Sequence, residues 1–148
     1  MDEETMVSAI QRWAPAFAEG GIVYLLGDLG AGKTTLSRAL LRGLGYPATV
    51  KSPTYTLLEP YELGELTVAH FDLYRLSDPE ELEYLGLRDY LEGKVLWLVE
   101  WPQRGEGMLP APDLVLELSS REQGRELRAI AYSERGRAIN KACTFNVV

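Results

Sequence analysis

The stretch from Gly27 to Thr35 reads G-D-L-G-A-G-K-T-T, a glycine and four residues followed by Gly-Lys-Thr. Glycines at these positions let successive backbone N–H groups turn inward without a Cβ clash, which makes a concave anion site. A helix opening at the end of the loop adds the positive end of its dipole. Lys33 supplies a point charge for β- and γ-phosphates, and the Thr34 hydroxyl is a hard oxygen donor suited to magnesium. The candidate nucleotide-binding residues are therefore Gly27, Asp28, Leu29, Gly30, Ala31, Gly32, Lys33, Thr34 and Thr35. A pattern of this kind is specific only between a buried strand and a helix. The apolar run I-V-Y-L-L at 22–26 and the helical spacing of Leu36, Leu40 and Leu44 supply that context.

A guanine reader in this superclass uses Asn-Lys-x-Asp, but residues 140–143 read N-K-A-C, and Cys143 cannot accept from the guanine ring. The GTPase pattern Asp-x-x-Gly fails as well, because Asp72 is followed at that offset by Arg75. ATP is therefore favoured over GTP. An ATPase needs a further group to hold the magnesium shell and position the attacking water. Two acids stand at the ends of apolar strands: Asp72 in TVAHFDLYR and Glu100 in VLWLVEW. A carboxylate at the mouth of a buried strand is costly unless something holds it. The alternative for either acid is a pairing with an arginine such as Arg75 or Arg104. In VKSPTYTLLEPY, residues 50–61, Thr54 and Thr56 are candidate switch contacts to a γ-phosphate, with an ordinary β-branched strand as the alternative. His70 reads as a partly buried strand residue, and a lone histidine makes no metal site.

Positioning these groups requires a sheet and helices. Met6, Ile10, Trp13 and Phe17 predict an amphipathic helix from residue 3 to about 18, stopped by Gly20-Gly21. The first strand covers 22–26, a helix runs from Gly32 to about Leu44, and further strands are predicted at 54–59, 66–73, 95–99, 113–118 and 126–132. The connection P-Y-E-L-G-E predicts a hairpin between 54–59 and 66–73, so the sheet is not purely parallel. Ser77 or Asp78 can cap the segment that follows, and Gly86 predicts its division into two short helices. The expected fold is α/β, one phosphate-loop (P-loop) domain over 1–148 with a mixed central sheet flanked by helices. Residues 133–148 are expected to add a strand and a poorly ordered tail.

At 148 residues, with 46% hydrophobic and 25% charged residues, the chain suits one soluble domain. It shows no apolar run that would span a membrane and no signal peptide, and its single cysteine excludes an internal disulfide. A cytoplasmic location is the expectation. Residues 59–92 hold ten of the 22 acidic residues and two of the 15 basic ones. A net charge of −7 disfavours direct nucleic-acid binding. The acidic middle is either a solvated face or a docking surface for a basic partner.

Taken together, GDLGAGKTT, VKSPTYTLLEPY, HFDLYRLSDPEELEYLGLRDY and LVEWPQRG resemble, in order from about residue 20 to 118, the bacterial ATPase family of tRNA threonylcarbamoyladenosine biosynthesis, the TsaE or YjeE family. The resemblance implies a small α/β ATPase with ATP as substrate and Mg2+ as cofactor. It implies two protein partners, a threonylcarbamoyltransferase subunit of sugar-kinase-like fold and its paralogous partner subunit. These modify the adenosine next to the tRNA anticodon, so that tRNA is met only indirectly through the complex and no membrane is involved. Hydrolysis would reset the complex between turnovers. Lys33 and Thr34 match the family's phosphate and magnesium positions, Glu100 its magnesium-associated acid, and Asp72 a second acid needed for activity. The implied catalytic residues are Lys33, Asp72 and Glu100, and the implied metal ligands are Thr34 and Glu100. Trp101 could shield the site or touch a partner, and Arg125 is a candidate nucleotide contact. Two other readings stay open. A small-molecule P-loop kinase would need a basic lid where the segment after Tyr74 is acidic. A nucleotide-gated interaction module would bind ATP with little hydrolysis of its own.

Overall fold

In the computed structural model, strand β1 (Gly21–Leu26) lies inside a six-stranded sheet with β2 (Leu58–Leu63), β3 (Leu66–Asp72), β4 (Val95–Glu100), β5 (Leu114–Arg121) and β6 (Gly124–Ala131). The structure describes residues 2–28, 30–47, 49–51, 56–122 and 124–143. Strand order is β2-β3-β4-β1-β5-β6. The inner four strands run parallel, and β2 and β6 pair antiparallel at the edges. The mixed sheet expected from the sequence is thus observed. The C-terminal ends of β1, β3 and β4 share one edge, where open α/β sheets bind ligands.

Alternation along the strands builds two cores. Val23, Leu25, Val68, Leu96 and Leu98 point to one face and pack with α1 (Glu3–Trp13), α2 (Lys33–Gly43) and α4 (Glu134–Cys143). Ala69, Phe71, Trp97 and Val99 point to the other face and pack with Leu82 of α3 (Glu81–Tyr84) and Leu87 of the 3-10 turn Leu87–Tyr90. Gly86, at φ 80°, separates those two short pieces, as its position predicts.

Three elements depart from expectation. The predicted long first helix tightens into a 3-10 turn at Ala14–Phe17, where Pro15 removes an N–H from the α-helical ladder. The strand placed at 54–59 lies at Leu58–Leu63, so most of P-Y-E-L-G-E belongs to the strand and only Gly64 and Glu65 turn. Proline reads as a turn former, but Pro60 sits on an edge strand, where the missing N–H interrupts no inner ladder. Finally, residues 134–143 form a helix where a strand was expected. Gly136 N donates to Ser133 Oγ at 3.0 Å, a cap for the first turn, and Ile139 and Cys143, four apart, are buried. No helix among the described residues is long and apolar enough to cross a membrane.

Candidate active site

The loop after β1 returns under the start of α2. Gly32, at φ 107°, is the residue preceding α2, a conformation that L side chains rarely adopt. A Cβ on Gly27 would stand 2.7 Å from the Leu118 carbonyl oxygen, so the loop's first glycine is needed for close approach to β5. These two positions aim the opening N–H groups of α2 at the sheet edge. Lys33, in the first turn of α2, is 5% exposed. Its Nζ donates to the Gly27 carbonyl and, at 3.4 Å, to that of Asp28. Burial lowers its pKa, and Glu100, Asp72 and Asp28 act in the opposite sense. The cation is thus held by the loop's own carbonyls.

The carboxylates reach the same place by strand periodicity. Val68, His70 and Asp72 alternate along β3, and Leu96, Leu98 and Glu100 along β4, so all three polar groups project toward α2. The parallel register sets Asp72 beside Glu100 and His70 beside Leu98. Glu100 is 2% exposed and His70 fully buried. Glu100 Oε1 accepts from Thr34 Oγ1 at 3.4 Å, and Glu100 Oε2 lies 2.6 Å from His70 Nε2. Glu100 is thus held by His70 and Thr34 and not by the arginine partner considered as an alternative. Asp72 Oδ1 accepts from Tyr74 N at 3.2 Å. Burial, and then the neighbouring Glu100 charge, raise the Asp72 pKa above its ordinary value.

Trp101 follows Glu100 in the left-handed conformation, φ 57° and ψ 50°. For a bulky residue this costs on the order of 1–3 kcal/mol and persists only where the surroundings enforce it. The turn folds the indole back so that Lys33 Nζ stands 4.0 Å from its ring centroid, a cation–π contact. The Tyr74 ring, at 4.9 Å, packs on its flank.

These groups line one cleft of about 410 Å³, which takes in Lys33, Thr34, Thr35, Asp72, Glu100 and Trp101. Glu3 and Met6 of α1 and Arg125 of β6 close its other side. A Cβ on Gly32 would lie 3.7 Å from Arg125 Nε and 3.8 Å from Met6 Cε, so both elements reach the loop. Of the remaining predicted site residues, Thr56 is exposed, donates to Glu59 at 3.2 Å and is not among the cleft-lining residues. Leu29 and Thr54 lie outside the described residues. Sequence reasoning missed His70. The available signal was its two-residue spacing from Asp72, which puts both side chains on one strand face.

The family model of the threonylcarbamoyl adenosine biosynthesis protein TsaE matches residues 1–129. The tRNA threonylcarbamoyladenosine biosynthesis protein TsaE of Haemophilus influenzae is 48% identical over 121 residues, 82% of this chain and 77% of that protein. The protein of the same name from Bacillus subtilis is 39% identical over 142 residues, 95% of this chain and 86% of that one. The crystal structure of YdiB from Bacillus subtilis superposes with a TM-score of 0.75 at 28% identity, covering 99% of this chain and 91% of that one. With a matching family model over most of its length and relatives this similar, the chain belongs to the TsaE family.

Proposed function

We propose that this protein is a magnesium-dependent ATPase of tRNA threonylcarbamoyladenosine biosynthesis. It turns over slowly alone and resets the threonylcarbamoyltransferase subunit and its paralogous partner between rounds of modification. The observation that carries the ATPase reading is the convergence of Lys33, Thr34 Oγ1 and Glu100 Oε1 at one sheet edge. The donor set fits magnesium. Thr34 and Glu100 offer two hard oxygens, and no group of three or more His, Cys, Asp or Glu encloses a metal among the described residues. Magnesium favours one or two protein oxygens completed by phosphate and water over a full protein cage. Thr34 Oγ1 and Glu100 Oε1 would hold the ion, which when bound supplies neutralising charge to the phosphates.

The chain's own residues do the rest. Backbone N–H groups from Gly30 to Thr34 bind the phosphates, and Lys33 exchanges the Gly27 and Asp28 carbonyls for phosphate oxygens. Asp72, with its pKa raised by burial, is placed to accept a hydrogen bond from the attacking water and to orient it toward the γ-phosphorus. The Trp101 and Tyr74 rings exclude bulk water from the flank of Lys33. Glu3, Met6 and Arg125 surround the remaining wall and are the proposed nucleoside contacts. A phosphate-loop site hydrolyses slowly until a partner completes it, which ties turnover to the complex.

The test is ADP release by the chain alone and with the two partner proteins, with Mg2+ and after chelation. A slow magnesium-dependent rate, accelerated by the pair, is expected. Absence of magnesium-dependent hydrolysis under both conditions would leave a nucleotide-gated binding module.

A further inference from the structure

His70 contributes a contact that the proposed chemistry does not yet use. It is fully buried on β3, its Nε2 stands 2.6 Å from Glu100 Oε2, and its Nδ1 has no hydrogen-bond partner among the described residues. A neutral imidazole carries its proton on one nitrogen and accepts on the other, and the partner of each nitrogen decides which. A proton on Nδ1 would be a buried donor facing no acceptor, the arrangement that buried groups avoid. A proton on Nε2 meets a carboxylate oxygen. We infer that His70 is a positioning residue for the ATPase site: its Nε2–H holds Glu100 Oε2 and thereby turns Oε1 toward Thr34 and the magnesium position.

The inference rests on the magnesium reading of Glu100. The two carboxylate oxygens are chemically alike, and a glutamate side chain has three rotatable bonds, so Glu100 needs an external restraint to present one oxygen reproducibly. The neighbouring strand supplies it. The β3–β4 register puts Asp72, not His70, directly beside Glu100, so the imidazole reaches Oε2 from one pleat further back. Oε1 is left to Thr34 Oγ1 at 3.4 Å. Hydrogen bonds of this kind to a metal-binding carboxylate commonly change metal affinity by about 10- to 100-fold when removed.

His70 is the only histidine in the chain, so its ring nitrogens give a single pair of signals in 15N-labelled protein. Three proteins are compared: wild type, His70→Gln, whose amide nitrogen reaches the place of Nε2, and His70→Leu, which keeps apolar volume and removes the donor. Binding of Mn2+ to the protein–ADP complex is read by electron paramagnetic resonance, beside ADP binding without metal and thermal unfolding. The wild-type Nε2 should carry a proton, whether or not Nδ1 does. His70→Leu should weaken Mn2+ binding about tenfold or more while leaving metal-free ADP binding within about twofold, and His70→Gln should recover most of the loss. An Nδ1–H tautomer would overturn the inference. So would equal losses of Mn2+ binding in both variants, which would mark a packing role, or no loss in either. If His70→Leu does not fold, the ring tautomer and His70→Gln still decide. Wild-type protein whose ADP complex ignores Mn2+ would instead sink the magnesium reading, a result separable from the ring tautomer.

Discussion

Lys33, Asp72 and Glu100 sit within one cleft but carry different charges into it, so their substitutions should separate. Lys33→Ala removes the ammonium that we propose binds the β- and γ-phosphates. Loss of one preorganised charge of this kind costs turnover about 100-fold or more. ADP release should fall to background with weaker nucleotide binding, and near-normal turnover would remove Lys33 from the mechanism. Glu100→Gln keeps volume but loses charge, so nucleotide binding should persist by calorimetry while magnesium-dependent hydrolysis drops at least about tenfold. Asp72 allows a stability prediction as well. Burial, and then the Glu100 charge, raise its folded pKa above the ordinary aspartate value, so the fold disfavours the ionised carboxylate. Its unfavourable contribution is absent below the unfolded value and grows as pH rises through the folded one. Asp72→Asn keeps the oxygen that accepts from Tyr74 N and removes the charge. The variant should melt higher than wild type at pH 7, with the gap closing as pH approaches 4, even though its hydrolysis is damaged. A gap that stays constant with pH would show that charge is not the cause.

Much of this site was legible in the sequence because each part carries a local signature. The phosphate loop announces itself by glycine spacing after an apolar run, and both acids by ending such runs. The spacing of His70 from Asp72 put both on one strand face, but its pairing with Glu100 was not legible, because that partner lies 30 residues away and only the β3–β4 register brings the two together. Among elements, Pro60 misled for a related reason: edge position is a property of the sheet, invisible along the chain. The helix α4 was obscured by its polar composition, its buried face resting on Ile139 and Cys143 with Gly136 at its start. The packing of α1 on α2 gives an element-scale prediction. A Cβ on Gly43 would meet Ala14 Cβ at 2.6 Å and the Gln11 backbone at 2.9 Å, inside any real contact distance. Forcing such a group into a packed junction costs about 1–3 kcal/mol. Gly43→Ala should lose that much in urea denaturation although alanine is the better helix former. Because α1 carries Glu3 and Met6 to the cleft, nucleotide binding should weaken with it. Unchanged or raised stability would show that the helices part freely.

At the scale of the molecule, charge is segregated. The chain carries a net −7, and the stretch 59–92 holds ten acids against Arg75 and Arg88. The fold leaves much of that charge in water: Asp78, Glu80, Glu83, Asp89 and Glu92 are exposed, and Glu83 pairs with exposed Arg88 at 3.2 Å. Tyr84, which follows Glu83 in α3, is 90% exposed, so this acidic stretch also carries an aromatic ring that the fold leaves in water. Leu82 of α3 and Leu87 of the following 3-10 turn are buried, so these two short pieces turn their apolar side chains inward and leave the acids around them in water. A concentrated field of one sign accelerates encounter with a basic surface more than it strengthens the final complex, and salt screens it over roughly 8 Å at physiological ionic strength. We therefore predict that Glu80, Glu81 and Glu83 steer docking onto the transferase and its paralogue. Replacing all three with glutamine should slow association severalfold at low salt, with dissociation little changed and the two rates converging as salt rises. Stopped-flow mixing with the partner pair reads this directly. An association rate that the substitution leaves unchanged at low salt would mean that the acidic stretch is a solvated face and that docking uses another surface.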